Sequence, residues 1–267
     1  MVDLPLVSKS RRAFFPGADL LPSVLYLARS TLWRRYCGSF LGFGWSILNP
    51  IVTIGIYFVV FRIFIRVPLE NYFVYLVSGL LPWVFLNNSL LTSTSSLVSR
   101  REALHSSIAN RLIFILADTT VELFTYAISL GIMLVLCVLF VEPPSWTWLA
   151  LPLLGVPLIV FVYSVAVIVA YSAARYRDLP HLLQLLLNVL FWLMPIVYHW
   201  SMVPSPFDVF IKYNPISMLI SPNQILIHGN VLPTAALIVA DVGIAGAALL
   251  AAVAVHRRLR RDIIFYL

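Results

Sequence analysis

The sequence predicts an all-α polytopic membrane protein. Six transmembrane helices are expected, with an N-terminal amphipathic interfacial helix before the first and external re-entrant helices before the last. Three observations carry this. Of 267 residues, 61% are hydrophobic and 11% charged, and the mean hydropathy is +0.95; soluble domains hold about 45–50% apolar and ~25% charged residues. The windows 36–61, 71–99, 123–141, 143–174 and 179–207 contain no Asp, Glu, Lys or Arg, and a bilayer crossing takes about 20 apolar residues. The basic residues collect between alternate blocks. Because the blocks are continuous, a barrel alternating at period two is excluded. The composition equally excludes a disordered chain, a collagen and a disulfide scaffold.

The elements follow in order within a single domain, 1–267. Residues 1–19 hold Lys9, Arg11 and Arg12 but no apolar core or small-residue cleavage site, which predicts an uncleaved, cytoplasmic N-terminus. In 20–37, Leu21, Leu25, Ala28 and Leu32 share one helical face, and Arg29, Arg34 and Arg35 fall away from it. With Trp33 and Tyr36 at headgroup level, this is the pattern of a helix lying in the membrane interface. The spans are expected at 45–65, 72–97, 112–140, 147–172, 182–200 and 232–256, and 98–111 forms a polar cytoplasmic loop. The stretch 201–231 contains Pro204, Pro206, Asn214-Pro215, Ser221-Pro222 and Gly229, yet is rich in Ile and Leu; re-entrant external helices fit that mixture. Of the 18 Lys and Arg, all but Arg62, Arg66 and Lys212 then lie on the cytoplasmic side, with both termini there. This bias accounts for the net charge of +7 without a nucleic-acid partner.

The chemistry that the chain lacks is informative. None of its 11 glycines precedes a lysine, so there is no phosphate-cradling G-x-x-x-x-G-K-[ST] loop. Neither H-E-x-x-H nor G-x-S-x-G occurs. His105, His181, His199, His228 and His256 are scattered, Cys37 and Cys137 lie in unlike surroundings, and no metal site is expected. Inside the expected spans the ionisable groups are Arg62, Asp118, Glu122 and Asp241. Asp118 and Glu122 share a helix face near the cytoplasmic end, where arginines such as Arg111, or water, are their expected partners. Asp241 reads as a polar tie between helices, and Arg62 as a side chain snorkelling toward Arg66 and the headgroups. Aromatic residues are frequent on three spans. Aromatic faces suit weak, sliding contact with sugar rings, and they suit helix packing and interfacial belts equally.

The run from Leu32 to Pro50, LWRRYCGSFLGFGWSILNP, resembles the signature of ABC type 2 polysaccharide export permeases. In order there follow Ser78-Gly79-Leu80-Leu81-Pro82-Trp83, Arg175-Tyr176-Arg177-Asp178-Leu179, Pro195-Ile196-Val197-Tyr198 and Asn214-Pro215, each similar to a motif of that family. The resemblance covers residues 20–230, with one departure. The loop Ser99–Arg111 lacks the Phe-Pro that family members often carry. The family spans O-antigen, capsule and teichoic acid exporters.

The resemblance implies a half-transporter of the inner membrane. A second copy would complete the path, and two separate ATPase subunits would hold ATP and Mg; this chain itself would bind no cofactor. A lipid-linked polysaccharide, O-antigen foremost, would cross outward among membrane lipids. Arg100, Arg101, Glu102, His105 and Arg111 would couple to the ATPase. Arg29, Arg34 and Arg35 would meet the lipid pyrophosphate, or serve topology and anionic lipids. Tyr57, Phe58, Phe61, Trp83, Phe191, Trp192 and Tyr198 would line the glycan path, with Phe191, Pro195 and Tyr198 on one stripe. Asn214 and Pro215 would form an outer gate. The rival readings are a secondary transporter coupled through Asp118, Glu122 or Asp241, an ABC exporter of another lipid or small solute, and a membrane enzyme, for which no polar constellation is present.

Overall fold

Hydropathy sets where helices form, and small residues decide which of them lie at the centre. The computed structural model describes residues 20–38, 40, 42, 44–102, 110–140, 143 and 145–259, and among these there is no strand. The helices are α1 (Leu20–Tyr36), α2 (Gly44–Phe58) with a π-helical continuation over Val59–Phe64, α3 (Tyr72–Ser96), α4 (Arg111–Phe140), the single turn α5 (Leu151–Leu154), α6 (Val156–Arg175), α7 (Leu179–Leu193), α8 (Phe207–Lys212), α9 (Pro215–Ile227) and α10 (Ala235–Leu259).

Among the described residues, four helical stretches are long and apolar enough to cross a membrane: Tyr72–Arg100, Arg111–Leu139, Trp146–Arg175 and Ala235–Leu259. Those expected at 45–65 and 182–200 form shorter apolar helices, Leu48–Phe64 and Leu179–Leu193. At 1.5 Å per residue, the 15 residues of α7 reach only about 22 Å, less than the ~30 Å hydrocarbon core. Its end has a local cause. Met194 precedes Pro195, whose ring disfavours a helical residue before it, and Met194 is extended (φ −104°, ψ 146°).

α3 is the central helix, packing against α2, α4, α6, α7 and α9. It is the least apolar of the four long stretches and buries Ser78, Gly79, Ser89, Ser93, Thr94 and Ser96. α10 is the reverse: strongly apolar, it buries only Asp241, Ala245 and Ala252 and turns Val239, Val242, Leu249 and Leu250 outward. Lipid tails are as apolar as leucine, so hydrophobicity alone does not drive helices together. Close approach by small and hydroxyl residues does.

α1 does not lie free in the interface. Val24 and Ala28 are buried against Ala117 and Val121 of α4. Leu32 packs beside them, whereas Leu21 and Leu25 remain exposed. The expected apolar face is thus divided between a protein contact and an outward stripe. Residues 201–231 fold mainly as α8 and α9. α9 starts at Asn214, whose side chain accepts from the Ile216 N–H at 3.0 Å, with Pro215 at the first helical position, where its missing N–H costs nothing. It docks on α3 and α10. Thr147 Oγ1 donates to the Leu226 carbonyl (3.1 Å) and Trp148 Nε1 to Asn230 (3.2 Å) at its end.

Candidate functional site

Charge is concentrated where α1, α3 and α4 meet. Arg100, just past the end of α3, donates through Nη1 and Nη2 to the two oxygens of Asp118, each at 2.7 Å, a bidentate fork. Ser96 Oγ donates to the same carboxylate. Arg100 also reaches the Ser96 carbonyl at 3.0 Å, and its guanidinium lies over the Phe114 ring, 5.4 Å from its centre. One turn further along α4, Glu122 accepts from Arg35 of α1 at 2.7 Å. Both carboxylates are buried.

The partners of Asp118 and Glu122 are therefore Arg100 and Arg35, not Arg111. Arg111 sits seven residues before Asp118 on the same helix, about 10 Å along its axis, whereas Arg100 and Arg35 arrive from neighbouring elements at the right level. Two arginines marked for outside partners are thus held inside the chain. Of the remaining residues in those two sets, Arg101 and Glu102 are exposed, Arg111 is half-buried, and Arg29 and Arg34 are exposed, Arg34 donating to Ser30 Oγ at 3.3 Å. His105 lies outside the described residues, as do Lys9, Arg11, Arg12, Arg260 and Arg261.

At the other end of α3 a second arrangement deals with backbone. After α7 ends, residues 194–198 are not helical, yet Met194, Pro195, Ile196 and Val197 are buried. Carbonyls in such a place need donors. Tyr75 Oη lies 2.6 Å from the Pro195 carbonyl and 2.8 Å from that of Tyr198. Tyr72 Oη donates to Val197 (2.8 Å) and Gln224 Nε2 to Pro195 (2.9 Å). Gly79 makes room for that amide: a Cβ there would stand 2.6 Å from Gln224 Nε2. Motif residues of α3 and 195–198 that looked like separate signatures are two halves of one contact. Tyr72 and Tyr75 belong to the aromatic residues expected on the second span, but their role as backbone donors, and Gln224 altogether, went unforeseen; the i, i+3 spacing of the tyrosines at a helix start is the signal that could have revealed that role.

Most of the predicted aromatic path is one cluster. Tyr57 lies 6.3 Å from Phe61 and 5.4 Å from Phe191, Phe61 6.5 Å from Trp192, and Phe191 5.9 Å from Trp83. Phe58 points elsewhere, to Phe73 at 5.9 Å. Trp83 and Phe191 are buried in the chain's own core, whereas Trp192 is 56% exposed. Pro195 and Tyr198 do not continue the Phe191 stripe, because the helix stops at Leu193; the Tyr198 hydroxyl turns back to the Trp192 carbonyl at 3.0 Å. Arg62 does not extend toward Arg66 either. It donates to the carbonyls of Val67 (3.2 Å) and Leu69 (3.1 Å), closing the turn between α2 and α3. With Asp118 and Glu122 both engaged by arginine, α4 presents fixed charge pairs and no relay of free acids.

No protein-family profile matches the chain. It is 27% identical over 213 residues to an O-antigen export system permease protein RfbA of Klebsiella pneumoniae, covering 79% of this chain and 82% of that protein. A second Klebsiella pneumoniae RfbA is 26% identical over 212 residues. The RfbA of Myxococcus xanthus is 27% identical over 241 residues, 90% of this chain and 93% of its own. Among the described residues the fold is all-helical with long apolar helices, and together with the similarity along most of the length of these permeases this makes the chain an α-helical membrane protein similar to O-antigen export permeases.

Proposed function

We propose that the chain is the membrane half of an ATP-driven exporter that moves lipid-linked O-antigen from the cytoplasmic to the outer side of the inner membrane. The observation that carries this is the similarity, over about four-fifths of both chains, to permeases named for O-antigen export. Two copies form the path and two separate ATPase subunits bind ATP and Mg. Six crossings result when α2 with its π turn, and α7 with the buried segment after it, complete the bilayer beside the four long helices. α8 and α9 are then the external re-entrant pair, and the ion-paired end faces the cytoplasm with both termini. The exposed apolar side chains of α2 and α7, among them Ile56, Val59, Leu185 and Val189, together with Trp192, offer the second copy its contact. Arg101 and Glu102 are the exposed candidates for the ATPase contact, and Arg29 and Arg34 for the lipid head.

Deletion of the gene in its host tests the reading. Surface O-antigen should disappear while lipid-linked glycan accumulates inside, and expression of the chain should restore export only with an active ATPase partner. Unchanged surface glycan overturns the proposal. Restoration that follows the proton gradient without any ATPase supports a secondary transporter instead.

A further inference from the structure

A cavity of about 470 Å³ with a mixed polar and apolar lining lies between the end of α1 and the helices α2, α3 and α4, apart from the aromatic cluster. Its size is that of a small-ligand pocket, typically ~300–1,000 Å³. Asn88 of α3 and Thr125, Tyr126 and Ser129 of α4 line it, with Asn49 and Thr53 of α2 opposite. On α4 the lining follows the spacing of one helix face, from Glu122 at the ion-paired end to Ser129 about 10 Å deeper. Amides and hydroxyls sharing one space are out of place in a chain that is 61% hydrophobic, because polar groups facing lipid are costly. Ser129 sharpens the point. It is 5% exposed, and its hydroxyl has no hydrogen-bond partner among the described residues.

The lining also selects the ligand's charge. Arg35 and Glu122 border the cavity and neutralise each other at 2.7 Å. No other Lys or Arg lines it among the described residues, so a phosphate placed there would meet the Glu122 carboxylate without a free cation. The walls add flat apolar surface: Phe85 and Tyr126 stack with centroids 5.2 Å apart and planes 18° from parallel, and Trp45 also lines the cavity. Hydroxyl-bonding groups beside aromatic faces match a sugar ring, which is polar at its rim and C–H-rich on its faces.

We propose that this cavity binds a neutral sugar unit of the exported glycan, separately from any site for the lipid phosphate. The proposal rests on the export reading above. It is tested on the full chain co-purified with its ATPase partner in lipid nanodiscs, carrying Ser129→Cys in a Cys37→Ser, Cys137→Ala background. A small neutral thiol reagent reports access to the cavity. Glycan released from the host's lipid carrier by mild acid should slow labelling, and Asn88→Leu should weaken that protection by about fivefold, the worth of one hydrogen bond. A short-chain polyprenyl phosphate and inorganic pyrophosphate should leave labelling unchanged. Thr125→Cys, one turn earlier on the same face, supplies the readout if Ser129→Cys does not fold. Protection by the phosphates and not by glycan overturns the proposal, as does absence of protection in a complex that still exports. Failure of the export reading shows separately, as surface glycan that persists in the deletion strain.

Discussion

Asp118 is the clearest case of a residue whose role depends on one partner. Its carboxylate is buried and accepts from Arg100 twice and from Ser96. Removing one member of a buried ion pair leaves the other uncompensated, which costs about 3–5 kcal/mol. Arg100→Ala should therefore lower stability by that order in detergent thermal unfolding. Adding Asp118→Asn should recover much of the loss, since the amide carries no charge to strand. Wild-type stability in Arg100→Ala alone would show that the pair is not structural. Charge reversal at Arg100 thus reads folding as well as coupling, whereas Arg101 and Glu102, both exposed, can be reversed without opening a buried pair. Arg35 and Arg34 divide in the same way: Arg35 holds Glu122, and the exposed Arg34 donates to Ser30 on its own helix.

At the scale of elements, the end of α7 shows how a membrane protein tolerates non-helical backbone. Pro195 breaks the helix, and donors from α3 and α9 satisfy the carbonyls that follow. Gly79 matters through Gln224. In Gly79→Ala the new methyl displaces the Gln224 amide and with it the bond to the Pro195 carbonyl. That bond is worth about 1 kcal/mol net, and Gly79→Ala should be destabilised by about that much in thermal unfolding. In a Gln224→Ala background the same change should be nearly neutral, because the atom it strikes is gone. Additive losses in this double-mutant cycle would mean that glycine is needed for another reason.

For the whole molecule, the question is which aromatics belong to the core of one chain and which remain for a neighbour. Trp83 is 5% exposed and Trp192 is 56% exposed, although both join the same ring cluster through Phe191. Truncating a buried tryptophan costs about 3–5 kcal/mol, so Trp83→Ala should lose stability and export together. Trp192→Ala should keep the stability of the chain, because its ring is largely exposed, and on the proposed export reading it should reduce surface glycan. Thermal unfolding in detergent, set beside cell-surface glycan, separates the two outcomes. Equal destabilisation by both changes would remove Trp192 from the path.

Composition, the charge-free windows and the distribution of Lys and Arg were enough to identify a helical membrane protein, and the ordered motifs to point to the export permeases it resembles. Hydropathy and motif order are properties of local sequence, and each residue contributes to them on its own. Helix length was less legible. The stretches 45–65 and 182–200 are predominantly apolar, but Pro195 ends α7 at Leu193, and a hydropathy count does not register backbone geometry. The interior pairings were not legible at all. Arg35 is 87 residues from Glu122, Tyr75 is 120 from Pro195, and the cavity polar groups come from four helices. Whether an arginine meets a buried acid, a lipid phosphate or a partner subunit depends on which helix ends come level with one another, and only tertiary packing decides that.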